Sequence, residues 1–262
     1  VPLETIDSIK HPLIQTARSL ATRGGRTSSG LTLAEGTRLV TQILDAGTTV
    51  HSILVPLGQT DRDLESRAEA AGVDVHPVRR GVLRHVFGSP TPPECLAIVP
   101  VAPERHGSVP SGDLTIVCDG VADPGNLGAI IRTARGLGCE GIVLTGDTDP
   151  GSRRVVEASR GAVLRVSAHR FADGRVAVTA LRAEGWTVVA MDGRGERDLG
   201  DVAVPAGPVA VVVGNETEGL GAAVRSAADV LVAIGLAGDV ESLNVAVAAG
   251  IALYTLRSRR PT

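Results

Sequence analysis

TIVCDGVADPGNLGAIIRTARGLG, residues 115–138, runs from an apolar stretch through a glycine-containing turn into an amphipathic segment. Its opening residues, Thr115 to Cys118, lack polar alternation, the pattern of a strand buried on both faces. After Pro124 the period changes to that of a helix: Ile130, Ala134 and Leu137 share the face that is buried, and Arg132 is left on the opposite side, free to meet a ligand or partner. Strand, turn and helix in this order make half of a parallel βαβ unit. The texture recurs in GIVLT (141–145), WTVVAMD (186–192), PVAVVVG (208–214) and DVLVAI (229–234), with helical stretches between them. Residues 114–262 are therefore expected to form an α/β domain on a parallel sheet covered on both faces.

Upstream the texture is different. PLIQTARSLATR (12–23) places Leu13, Ile14, Ala17, Leu20 and Ala21 on one helical face, and GGRTSSG (24–30) follows with loop formers. LTLAE (31–35), TVHSILV (49–55), VDVHPV (73–78) and CLAIVPV (95–101) read as strands, separated by helical stretches at 37–47, 61–72 and 79–88. This predicts a smaller α/β domain over residues 1–101. APERHGSVPSGD (102–113), rich in Pro, Gly and Ser, is the expected linker.

A chain of 262 residues with 43% hydrophobic and 21% charged residues can bury one large or two ordinary cores, which argues against disorder. No apolar run reaches the roughly 18–20 residues of a membrane span, and VPLETIDSIK lacks the regions of a signal peptide, so a cytoplasmic protein is expected. Cys95, Cys118 and Cys139 are isolated in apolar stretches, which suits buried free thiols and gives no support for disulfides or a metal site. The net charge of −3 hides two basic clusters: Lys10, Arg18, Arg23, Arg26 and Arg38 against Glu35 alone, and Arg79, Arg80 and Arg84 beside His76 and His85. Arg18, Arg23, Arg26, Arg79, Arg80 and Arg84 are candidate phosphate contacts, each of them also readable as an ordinary solvated charge. With 2% aromatic residues there is no base-stacking platform, so any RNA would be held through phosphates and shape.

Three loops carry candidate chemistry. In the first, Asn126 sits at the start of the helix, either as an N-cap or as a site residue beside Arg132. GNLG is not a complete dinucleotide fingerprint, although Asp147 and Asp149 lie where a ribose-binding acid would be sought. In the second, PVAVVVGNETEGLG (208–221), a buried strand runs into Gly214, where a ligand could approach the backbone, then Asn215 and Glu216; the plainer role of Glu216 is a favourable charge at a helix N-terminus. In the third, VAIGLAGDVESLNVAVAAGIALY (232–254), a strand and a loop with two glycines lead to a long apolar helix opening at Ser242, with Asn244 in its first turn. That helix is apolar on most faces and must be packed on more than one side, as in a dimer interface.

Taken together and in order, DPGNLGAIIRTA, VVVGNETEGL and ESLNVAVAAGIAL resemble the three motifs of SpoU/TrmH-type methyltransferases of the SPOUT superfamily. LTLAEGTRLV in the first domain is similar to the L30e-like substrate-binding extension that many members carry. The resemblance implies a carboxyl-terminal trefoil-knot domain, a homodimer, and transfer of a methyl group from S-adenosylmethionine to a ribose 2′-OH of RNA. It makes Arg132 the catalytic arginine, with Asn126, Glu216, Ser242 and Asn244 beside it. The cofactor would lie against Gly214, Asn215, Ile234, Leu236, Ser242 and Leu243. Three positions depart from the family: Gly235 and Leu236 stand where Pro and Met often follow Ile, and Glu157 stands where a basic residue is usual. Ser159 and Gly161 remain in register. The extra domain inclines the reading to 23S rRNA, a substrate linked in some members to antibiotic resistance, over tRNA. A non-catalytic RNA or ribosome binding module and a nicotinamide enzyme are the competing classes, and both leave some of the three motifs unused.

Overall fold

The alternating segments of the first hundred residues assemble into a four-stranded mixed sheet: β1 (Leu31–Glu35), β2 (Ser52–Pro56), β3 (Val75–Val78) and β4 (Leu96–Pro100) in the order β1-β4-β2-β3. β4 lies antiparallel to β1 and β2, and β2 parallel to β3. The computed structural model describes residues 3–59, 61–88, 93–195, 197–203, 206–238 and 240–259. Five helices belong to this part: α1 (Pro12–Ser19), α2 (Arg23–Ser29), α3 (Thr37–Asp45), α4 (Arg62–Ala70) and α5 (Arg80–Leu83). Ile14, Ala17 and Leu20, predicted on one face, are buried with Leu33, Leu54, Leu83, Leu96 and Ile98 in one core.

α2 is a helix where GGRTSSG was expected to be a loop. Local capping overrides the two glycines: Thr22 accepts a hydrogen bond from the Gly25 N–H (3.2 Å), and Gly30 closes the helix at φ +66°. Gly25 is needed for space, since a Cβ there would lie 2.0 Å from the Ser19 carbonyl oxygen. Arg26 is buried (9% exposed) and donates from Nη1 to the Leu20 carbonyl (2.7 Å), so it serves the end of α1 and is not a surface phosphate contact.

The second sheet has eight parallel strands: β5 (Arg105–His106), β6 (Leu114–Cys118), β7 (Gly141–Leu144), β8 (Ser167–Arg170), β9 (Thr187–Met191), β10 (Arg197–Asp198), β11 (Val209–Val213) and β12 (Val230–Ala233). Their order is β10-β12-β9-β11-β6-β7-β8-β5. All five apolar runs predicted as strands are strands. α6 (Pro124–Gly136), α8 (Gly174–Ala183), α9 (Ala222–Ala227) and α10 (Val245–Ser258) cover the sheet. Val117, Val143, Val188, Ala190 and Val212 face α8 and α9 in one core, while α6 and α10 pack together over the other face. From β6 the chain moves outward through β7 to β8, then returns across β6 and β11 to β9. That reversal leaves a switch point between the carboxyl ends of β6 and β11, where open α/β sheets receive ligands.

The expected linker is not without structure. β5 pairs with β8, and His169 on β8 meets the Ser108 carbonyl (2.9 Å) and the Ser167 hydroxyl (2.9 Å). Burial holds the His169 imidazole below its ordinary pKa, against the opposing Ser108 contact, so it is the neutral form that is buried.

The chain divides into two compact units, Val1–Pro103 with Gly151–Arg165, and Glu104–Pro150 with Val166–Thr262. The helix between β7 and β8, α7 (Arg153–Ala158), therefore belongs with the four-stranded sheet, although sequence placed residues 151–165 inside the second domain. Thr32 Oγ1 donates to the Gly151 carbonyl (2.5 Å), Arg153 pairs with Glu35, and the Arg153 guanidinium lies 4.5 Å from the centre of the Phe87 ring. Gly161 closes this stretch at φ +77°, and a Cβ there would lie 2.9 Å from Cγ1 of Ile43. Gly161→Ala should destabilise the four-stranded unit by about 1–3 kcal/mol, from backbone strain plus the clash with α3, read as a lower urea midpoint. An unchanged midpoint would show that α3 yields without cost.

Candidate active site

Three loops leave the carboxyl ends of β6, β11 and β12, and a chain of polar contacts joins them. Asp123, followed by Pro124 at the first helical position, is the N-cap of α6: its carboxylate accepts from the Asn126 N–H (2.8 Å). Asn126 is thus the third residue of the helix, with its side chain available for other partners. Its Nδ2 donates to Oε1 of Glu216 (3.0 Å), and its Oδ1 accepts from Nδ2 of Asn244 (2.9 Å). Glu216 also accepts from the backbone N–H of Ala122 and of Asp123, each at 3.2 Å. Partial burial works to raise the Glu216 pKa, but these donors outweigh it and hold the carboxyl below its usual range. Glu216 does lie at a helix N-terminus, that of α6, which its own loop reaches across the switch point.

Asn244, not Ser242, caps α10, accepting from the N–H of Ala246 (2.9 Å) and Val247 (3.3 Å). The helix opens at Val245, so Ser242 and Leu243 belong to the loop before it; Ser242 is exposed and Leu243 half-buried. Asn215 folds its own loop, with Oδ1 accepting from the N–H of Thr217 (2.9 Å) and Glu218 (3.1 Å), while Nδ2 reaches the Gly120 carbonyl (2.9 Å). Gly214 is required by protein packing: a Cβ there would lie 2.4 Å from the Gly219 carbonyl.

Arg132 projects from α6 and is exposed; among the described residues it forms no hydrogen bond or ion pair. No hydrogen bond brings Arg132 or Ser242 into the Glu216–Asn126–Asn244 chain. Ile234 is half-buried and Leu236 exposed on the loop after β12. That loop is tied at one point, where the Gly235 N–H donates to Asp198 (3.1 Å), and the other described backbone groups of residues 234–243 make no hydrogen bond within the chain. Apolar side chains beside open backbone donors and acceptors suit an adenine ring and its edge. The Cys118 thiol, at the end of β6, is pushed up to about 12 by burial, then by Glu216 and Cys139, and so is inert as a nucleophile. Among the described residues no cluster of three or more His, Cys, Asp or Glu is placed to hold a metal ion. Of the basic candidates in the first unit, Arg18, Arg23, Arg80 and Arg84 are exposed, and Arg79 is exposed with Asp7 at 3.9 Å.

Sequence reasoning missed Asp123 as the cap, although Asp-Pro before an apolar period is a helix-start signal. It also missed Thr145, which donates to Asp119 (2.7 Å) and accepts from the Gly120 N–H (2.9 Å), and Thr148, which donates to the Val121 carbonyl (2.7 Å). Nothing in local sequence marks either threonine.

Residues 113–254 match the SpoU rRNA Methylase family, and residues 11–97 match the MRM3-like substrate binding domain. The chain belongs to the SpoU rRNA methylase family. A Synechocystis protein named as a tRNA/rRNA methyltransferase is 31% identical over 98% of this chain and 95% of its own length. The 23S rRNA (guanosine(2553)-2′-O)-methyltransferase of Bacillus subtilis is 29% identical over 97% of this chain and 100% of its own. The crystal structure of an rRNA methyltransferase from Sinorhizobium meliloti with S-adenosylmethionine bound is similar at a TM-score of 0.78, with 30% identity and 99% of both chains covered. The parallel sheet is that of SPOUT methyltransferases, and the family's cofactor is S-adenosylmethionine.

Because Glu216 has a depressed pKa in the folded chain, its contribution to stability is present above the ordinary carboxylate value of about 4.3 and is lost as pH falls through its own lower value. Urea midpoints measured from pH 6 down to pH 3 should therefore fall more steeply in the parent than in Glu216→Gln. Parallel curves would mean that the three contacts do not favour the ionised form.

Proposed function

We propose that this SpoU-family methyltransferase methylates a ribose 2′-OH of 23S rRNA in the cytoplasm. The observation that carries the reading is the joining of the three loops through Glu216, Asn126 and Asn244, with an exposed Arg132, unpaired among the described residues, on the same helix as Asn126. The B. subtilis relative, named for 2′-O-methylation of 23S rRNA and aligned along nearly the whole chain, supports the choice of substrate.

Bound S-adenosylmethionine supplies a methyl group on a positive sulfur with a neutral leaving group. The chain's task is then to align the 2′-oxygen and let its proton leave, and alignment alone can contribute about 7–11 kcal/mol. Residues Ile234, Leu236, Ser242 and Leu243 hold the cofactor beside the loop of Gly214 and Asn215. Arg132, with a planar fork of donors and no partner among the described residues, grips the phosphate next to the target ribose and fixes the sugar, while phosphate or water takes the proton. Glu216 keeps Asn126 and Asn244 in register. Arg18, Arg23, Arg79, Arg80 and Arg84 in the first unit contact RNA phosphates.

A second copy of the chain completes the assembly. Val247, Ile251 and Tyr254 recur at i, i+4 and i+7 on α10, and Tyr254 is 64% exposed, an apolar face that a twin subunit would cover. The threaded carboxyl-terminal segment of the family fits the contacts made by residues 198–200: Asp198 accepts from the Gly235 N–H before α10, and the Gly200 carbonyl accepts from Arg259 after it.

Arg132→Ala should lower methyl transfer to rRNA about a hundredfold or more while calorimetry shows cofactor affinity largely intact, and Arg132→Lys should not restore it. Primer extension at low nucleotide concentration on treated 23S rRNA and tRNA should show a new stop in the former; a stop in tRNA alone would reassign the substrate. RNA affinity should fall with salt at a log–log slope of about −0.7 to −0.9 per phosphate neutralised, and a flat response would remove RNA as the partner.

A further inference from the structure

Beyond the three joined loops, a fourth lies at the same end of the sheet: residues 145–149, following β7. It packs directly on the loop after β6. Both carry a left-handed glycine, Gly146 at φ +72° and Gly120 at φ +69°, and a Cβ on Gly146 would come 3.5 Å from the Gly120 Cα. Gly120 in turn faces Asn215, where a Cβ on Gly120 would lie 3.9 Å from that residue's own. The loops after β7, β6 and β11 are thus stacked in that order. Thr145 binds one end of the lower loop, through Asp119 and the Gly120 N–H, and Thr148 binds the other, donating to the Val121 carbonyl at 2.7 Å. Immediately beyond Val121 come the Ala122 and Asp123 N–H groups that Glu216 accepts from.

The outer loop has a support of its own at the Gly146 and Thr148 carbonyls. Arg170 supplies it. The residue is in register with Leu144, so its side chain leaves β8 beside the end of β7. It is 11% exposed, with Nη1 donating to the Gly146 carbonyl, Nη2 to the Thr148 carbonyl (2.8 Å) and Nε to Glu104. A guanidinium can direct separate N–H groups at two carbonyls and a carboxylate at once in a fixed plane. Glu104, 19% exposed, balances the charge and comes from the segment that sequence read as a linker.

We propose that Arg170 and Thr148 are positioning residues of the active site: the Arg170 guanidinium fixes the loop after β7, and the Thr148 hydroxyl passes that fixed position to Val121 and so to the two N–H groups that hold Glu216. Neither residue touches the reacting atoms. The assignment of the site to methyl transfer rests on the proposed function, whereas the positioning itself rests on geometry alone.

The test uses the whole 262-residue chain with Thr148→Val, Thr148→Ser and Arg170→Gln, each alone and combined with Glu216→Gln. Two quantities are read: the amide chemical shifts of Ala122 and Asp123, and the rate of methyl transfer beside the cofactor Kd. In the parent, Glu216→Gln moves both amide signals because their acceptor loses its charge. In Thr148→Val and Arg170→Gln that response should shrink, and kcat should fall about ten- to a hundredfold with the cofactor Kd unchanged, as expected for a small misplacement at a reacting centre. Thr148→Ser, which keeps the hydroxyl, should restore both. Amide responses equal to the parent's in folded Thr148→Val and Arg170→Gln overturn the proposal. Should Arg170→Gln fail to fold, Thr148→Val, which removes a single hydroxyl, decides. A lost amide response together with a parent that methylates no RNA upholds the positioning and overturns the proposed function instead.

Discussion

One carboxylate ties the site together. Glu216 accepts from two backbone N–H groups of the loop after β6 and from the Asn126 amide, and Asn126 passes the connection to Asn244 at the head of α10. A charged acceptor at a helix N-terminus is stabilised by the orphan donors there, and those donors are oriented by it in return. The depressed pKa of Glu216 is the electrostatic sign of that match. Loops from strands far apart in sequence thereby acquire one geometry, which is the condition for aligning a nucleophile behind a methyl carbon.

The sheet topology makes this possible. β6 and β11 are neighbours with fully paired, fully buried backbones, so their carboxyl ends are fixed relative to one another. The chain reverses direction across the sheet between them, so the helices that follow lie on opposite faces and leave a crevice. Glycines in this region allow close packing within the protein: Gly214 yields space to the Gly219 carbonyl, and Gly120 and Gly146 let successive loops stack.

The first unit shows how far burial can reach into a loop-like sequence. GGRTSSG becomes helix α2 because Thr22 caps it and Gly25 lies against the Ser19 carbonyl. Arg26, a surface cation by composition, is drawn inside by the Leu20 carbonyl. Residues 151–165, which leave the parallel sheet between β7 and β8, complete the core beside β1 and α3 and return.

Hydrophobic period alone located the apolar runs that became β6, β7, β9, β11 and β12, the buried face of α6 and the outward position of Arg132, because strand and helix spacing act over a few residues and leave a direct imprint on the order of side chains. The ordered motifs likewise disclosed the family. Tertiary structure decided which residue caps each helix, Asp123 for α6 and Asn244 for α10, which arginine is buried, and which threonines brace the site. The threonine braces and the joining of the loops depend on hydrogen-bond partners 25 to 118 positions away, such as Gly120 with Thr145 and Asn126 with Asn244, and a local pattern carries no record of a partner that distant.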